Sequence, residues 1–232
     1  MADFDLLREE LRGLDGDLYL CHLFAPADKR DALAVLYHLY ADIARIPASV
    51  SEPMVGAIRL QWWRDLLSGL AAEETRGTPI GEALLTLNQQ PGLAPSALMP
   101  LIDGREAALG EQGRTVDELE NEARETGTAL LHAACAIMTT EIDADLCQQA
   151  GTGVELMRLV PQDGAPVAAR AKALLDAACR QFNKLPRAQR KAVLPVFLPV
   201  GLARRQAAVY PRQKSLLSYQ FMLLRMAMMG KL

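Results

Sequence analysis

Apolar residues recur three and four apart in segment after segment of this chain, and nowhere do they alternate one by one. Phe4, Leu7, Leu11 and Leu14 form one such stripe, and Leu33, Leu36, Tyr37 and Tyr40 form another. Spacing of this kind gives a helix one apolar face that has to be buried against a neighbour. Composition agrees: half of the 232 residues are hydrophobic, and β-branched residues are too scattered for a sheet. A chain of this length can bury a substantial core. The pattern predicts one all-α domain over residues 1–232, with no linker, heptad run or internal repeat.

Prolines and capping residues divide the chain. Ala27–Arg45 reads as a strong helix ended by Pro47. Thr115, with Glu118 three residues later, opens a helix to Met138 in a capping-box arrangement. Asp143–Val160 is stopped by Pro161, Ala168–Leu185 follows, and Arg187–Tyr210 is interrupted by Pro195 and Pro199. The last helix, Gln213–Met229, is apolar nearly all round. Such a helix lies at the centre of a bundle or presses on a partner or membrane surface.

Charge is unevenly spread. Residues 1–150 hold 11 basic against 25 acidic side chains, a net −14, whereas residues 151–232 hold 14 against 3, a net +11. Either the two parts attract one another, or a basic surface faces phosphate groups, an anionic membrane or an acidic partner. Nucleic acid is not expected as a partner, because the basic third lacks stacking aromatics. Acidic and basic residues break the N-terminal segment, so no signal peptide is read there, and no uninterrupted apolar run is long enough for a bilayer. The expected location is cytoplasmic, at most peripheral on the inner face of a membrane. Cys21, Cys135, Cys147 and Cys179 are widely spaced and read as buried thiols, with His132 and Cys135 as a core pair.

The most informative stretch is Val50–Asp65, VSEPMVGAIRLQWWRD. Pro53 suits a first helical turn, and two apolar lines follow: Val55, Ile58, Trp62 and Leu66, then Leu60, Trp63 and Leu67. Arg59 lies one turn from both tryptophans, so the helix is either core or a site where cations flank aromatic rings. This wording resembles a helix of the squalene/phytoene synthase family, in a branch similar to a mitochondrial respiratory complex I assembly factor with a squalene/phytoene synthase-like domain. Fainter similarity runs from about Asp17 to the C-terminal helix. The resemblance implies an isoprenoid-synthase-like helical bundle around a central cavity.

It also implies where catalytic groups belong. Enzymes of the family ionise a prenyl diphosphate with Mg²⁺, which wants hard oxygen ligands from two aspartate-rich helices. Aligned on Leu36-Tyr37, the first set of aspartates falls on Ala44, Arg45 and Ala48, with Asp42 off register. The second motif falls on Glu155–Asp163, where Arg158 is retained, the key aspartate is Leu159, and Asp163 aligns with the next carboxylate. In the acidic run VDELENEARE, Glu118, Glu122 and Glu125 share one face, read as solvated. The expectation is a catalytically degenerate relative that binds a lipid-like isoprenoid ligand or a protein partner, in assembly of a respiratory complex. Its working residues would be Arg59, Gln61, Trp62, Arg64 and Asp65, with Arg158 as a remnant of the phosphate-side machinery. No catalytic residue, metal ligand or cofactor is assigned. Two alternatives stay open: a prenyl-diphosphate transferase using Mg²⁺ with unusual ligands, and a helical interaction module unrelated to isoprenoids.

Overall fold

Asp3, Asp15, Thr78, Thr115 and Asp143 each accept a hydrogen bond from the backbone N–H three residues on, and each opens a helix. The computed structural model describes residues 2–69, 77–87, 89–110, 114–160, 164–210 and 216–232, the side chains of 216–218 excepted. Among these the helices are α1 (Phe4–Leu14), α2 (Gly16–His22), α3 (Ala27–Ser49), α4 (Pro53–Leu67), α5 (Pro79–Thr86), α6 (Pro95–Ala107) and α7 (Val116–Ile137). They continue as α8 (Ala144–Arg158), α9 (Ala165–Lys184), α10 (Arg187–Val209) and α11 (Leu216–Met229). A 3₁₀ turn at Pro91–Leu93 precedes α6, and no strand occurs among the described residues. The capping box of α7 is complete, with Thr115 and Glu118 exchanging side-chain-to-backbone bonds.

Prolines end fewer helices than the sequence reading expects. α3 runs through Pro47 to Ser49, and α10 passes Pro195 and Pro199 without a break. Each proline removes one backbone bond. Pro195 and Pro199 lie in the buried Val193–Ala203 stretch of α10, where packing on every side outweighs that loss. α10 also proves long and apolar enough to cross a membrane by length and composition, which the sequence reading did not expect. Most of that apolar surface is consumed by the bundle.

Small residues set the closest helix contacts. A Cβ on Gly127 of α7 would lie 2.2 Å from the Gly151 carbonyl oxygen of α8, and the reverse holds for Gly151, so only glycine lets these backbones touch. Gly104 lets α6 approach the Thr126 side chain of α7, where a Cβ would come 2.4 Å from Thr126 Cγ2. At Gly201 of α10, the sulfur of Met226 on α11 fills the missing side-chain space. One continuous core cluster runs from Leu7 to Met226, with Tyr37, Tyr40, Phe182 and Phe197 as its largest fully buried members.

The two charged parts do attract one another. Arg170 on α9 grips Glu120 of α7 at 2.6 and 2.9 Å, and Arg158 on α8 pairs with Asp15. The acidic run of α7 is thus not a solvated face throughout. Glu118 and Glu125 are exposed, but Glu120 and Glu122 are buried against arginines. The four cysteines are buried thiols, while His132 is exposed and forms no core pair with Cys135.

Candidate functional site

At the centre of the bundle four helices contribute a closed polar network. Gly104 brings α6 against Thr126, and this sets the adjacent Arg105 against Glu122, one turn before Thr126 on α7. The other arm of the Arg105 guanidinium reaches Glu155 on α8. Glu155 also accepts the Tyr40 hydroxyl from α3, and Arg114 closes the set on the second oxygen of Glu122. Burial disfavours the Arg105 charge, but Glu155 and Glu122 overcome it and raise its pKa. Burial and then Glu155 push the Tyr40 hydroxyl up, so it stays a donor. Arg158 caps the group from outside, its guanidinium carbon 5.5 Å from the Tyr40 ring centre.

Beside this network lies an apolar cavity of about 30 Å³ lined by Tyr37, Gly127, Gly151, Glu155 and Val196 among others. That is about the share of liquid volume taken by one water, far below the several hundred Å³ of a ligand pocket. The positions where the resemblance places metal carboxylates hold Ala44, an exposed Arg45, Ala48 and Leu159. Asp163 lies outside the described residues. The carboxylates that do sit centrally, Glu122 and Glu155, are committed to arginines. Among the described residues no three His, Cys, Asp or Glu side chains are arranged to hold a metal. Among the described residues, the side chains at these positions do not supply the carboxylates of a Mg²⁺ cluster.

Of the residues singled out in the sequence, Arg59 and Trp62 come together. They line an open groove of about 340 Å³ between the end of α3 and α4, with Asp42, Arg45, Ser49 and Trp63. Arg59 donates to Ser49 Oγ at 3.1 Å, and Trp62 meets Trp63 edge-on at 5.0 Å. Trp63 is the core tryptophan, and Trp62 keeps 38% of its surface exposed. Arg64 instead bridges Asp103 and Glu106 of α6, both at 2.6 Å, and holds α4 on the bundle. Gln61 bonds Asp65 at 2.7 Å along the helix surface. Arg158 sits elsewhere, in a wide cleft of about 560 Å³ with Asp15, Asp17 and Gln206. The two apolar lines of α4 part company. Leu60, Trp63 and Leu67 are buried, whereas Val55 and Ile58 are exposed together with Met54.

Sequence reasoning missed Arg105, Tyr40 and Glu155 as a unit. Glu155 stands within the second motif, so a carboxylate there was a usable signal, but Arg105 had no pattern around it.

A sequence model of squalene/phytoene synthase matches residues 11–163. The chain belongs to the squalene/phytoene synthase family. Its fold is that of the squalene/phytoene synthases, an isoprenoid-synthase-like helical bundle. It superposes on a dehydrosqualene synthase crystallised with ligand at a TM-score of 0.71 and 14% identity, covering 97% of this chain and 95% of that one. Against the squalene synthase HpnC from Alicyclobacillus acidocaldarius the TM-score is 0.63 at 17% identity, over 98% and 94% of the two chains. Curated relatives include NADH dehydrogenase (ubiquinone) complex I, assembly factor 6, from Bos taurus, 32% identical over 131 residues. The human protein of the same name is 30% identical over the same length. These alignments take in 56% of this chain and 39% of either relative, so the match spans about two-fifths of their length. As a squalene/phytoene synthase family member, the chain fits a degenerate one.

Proposed function

We propose that this protein has left prenyl-diphosphate chemistry and works by binding a protein partner in assembly of a respiratory complex. The observation that carries the reading is the Arg105–Glu122–Glu155–Tyr40 network, which ties up the central carboxylates in ion pairs. Leaving-group ionisation needs concentrated positive charge at the diphosphate, and a guanidinium already paired with two carboxylates has little left to offer. The space beside the network, about 30 Å³, favours a protein over an isoprenoid inside the bundle.

The partner surface in this reading is the outer face of α4 with the adjoining groove. Met54, Val55, Ile58 and Trp62 form an exposed apolar line at helical spacing, and Arg45 and Arg59 flank it. Glu52, Asp42 and Asp65 lie near the same face, so its charge is mixed, as suits a protein rather than a lipid surface. Trp and Arg are the side chains that most often carry binding energy at such interfaces. The complex I assembly-factor relatives suggest the partner class, a subunit or intermediate of that complex.

The test is complementation of a deletion strain, read as NADH:quinone activity and assembled complex. Ile58→Glu and Arg59→Glu are expected to abolish rescue while melting within a few degrees of the parent. Full rescue by both, or failure only in proportion to lost stability, would remove α4 as the working surface.

A further inference from the structure

α11 buries one side and leaves another bare. Tyr219, Leu223 and Met226 pack into the core, while Phe221, Leu224 and Met228 stand 73, 50 and 80% exposed. These three recur at i, i+3 and i+7, so they form a single outward ridge. Single exposed apolar side chains are ordinary; a contiguous ridge marks a contact surface.

The charge beside the ridge is mainly basic. Arg225 follows Leu224 on the exposed side of α11 and also lines a groove of about 450 Å³ between α9, α10 and α11. Lys172, Arg204, Arg205 and Lys231 line the same groove, against the single acidic side chain Asp176. Asp176 is engaged by Lys172 and Arg204, both at 2.6 Å. Among the described residues Arg205, Arg225 and Lys231 enter no ion pair, and all three are exposed. The ridge projects rather than offering a pocket, and long cationic side chains beside it can reach back to a phosphate plane.

We propose that α11 seats the protein on an anionic phospholipid bilayer, Phe221, Leu224 and Met228 entering the acyl boundary while Arg205, Arg225 and Lys231 contact lipid phosphates. This surface is separate from α4, whose mixed charge lacks the same bias. The acidic side chains of residues 1–150 resist an anionic surface, which favours a single orientation with α11 down.

Flotation with phosphatidylcholine vesicles and with vesicles that also contain phosphatidylglycerol tests the proposal on the full chain. Binding is expected to the anionic vesicles at low salt and to weaken toward physiological ionic strength. Phe221→Ser with Met228→Ser is expected to lower partitioning about tenfold or more. Arg225→Gln with Lys231→Gln is expected to lower it by roughly fivefold for each charge removed. All four side chains are exposed, so both double variants are expected to melt with the parent, and a variant that does not is replaced by its single substitutions. Equal binding to neutral vesicles, no binding at low salt, or anionic binding untouched by both double variants would overturn it.

Discussion

Arg105 of α6 and Glu155 of α8, fifty residues apart, form an ion pair in which neither side chain exceeds 3% exposure. Taking two charges out of water costs several kcal/mol for each, and their attraction repays this only with good geometry and further hydrogen bonds. Tyr40 and Glu122 supply those bonds. The network therefore tolerates loss of a whole pair better than loss of one member.

Arg105→Met leaves Glu155 without its cation, and a stability loss of about 3–5 kcal/mol is expected. Arg105→Met combined with Glu155→Met is expected to cost less than the sum of its parts by about 1–3 kcal/mol, since each removes the other's stranded charge. Urea unfolding of the single and double variants measures the cycle. Single variants within about 0.5 kcal/mol of the parent would show that the network is not built as described.

The adjacent tryptophans of α4 separate core from surface. Trp63→Ala is expected to cost about 3–5 kcal/mol, as for a large buried aromatic. Trp62→Ala, half-exposed and held mainly by its edge contact with Trp63, is expected to cost about 1–2 kcal/mol. Equal losses in thermal unfolding would contradict the assignment.

His22 makes stability depend on pH. Burial lowers its pKa from the ordinary value of about 6.5, Arg8 and Arg30 add to the effect, and the Tyr19 carbonyl and Asp31 oppose it. With the folded value below the unfolded one, its stability contribution is full above about 6.5 and declines as pH falls through that value toward the folded one. Carboxylates act lower down: Arg170 holds Glu120 below its usual range and Lys172 does so for Asp176, so their share is lost as pH falls below about 4. Melting temperature between pH 7 and 5 is expected to fall less for His22→Asn than for the parent. Parallel curves would remove His22 as the cause.

Helix existence was legible because it rests on local chemistry. The Thr115–Glu118 box and Pro53 open their helices where the sequence places them. Pro195 and Pro199 misled because burial of the Val193–Ala203 stretch outweighs the missing hydrogen bonds, while Pro47 falls only two residues before the end of α3. The Arg59–Trp62 pairing was visible as one helical turn, but Arg45 reaches the same groove from α3, which spacing alone does not show. Arg64 looked like a twin of Arg59 until Asp103 and Glu106, some forty residues away, claimed it. The buried network was the least legible part, since Arg105, Glu122 and Glu155 meet only through the close approach of Gly104 to Thr126 and the backbone contact at the Gly127–Gly151 crossing.

Whether the ion-paired core has replaced prenyl chemistry is tested most directly by pyrophosphate release from farnesyl or geranylgeranyl diphosphate with Mg²⁺ or Mn²⁺. The account predicts no release above a no-protein control. Release above that control, with a prenyl product confirmed by mass spectrometry, would contradict it.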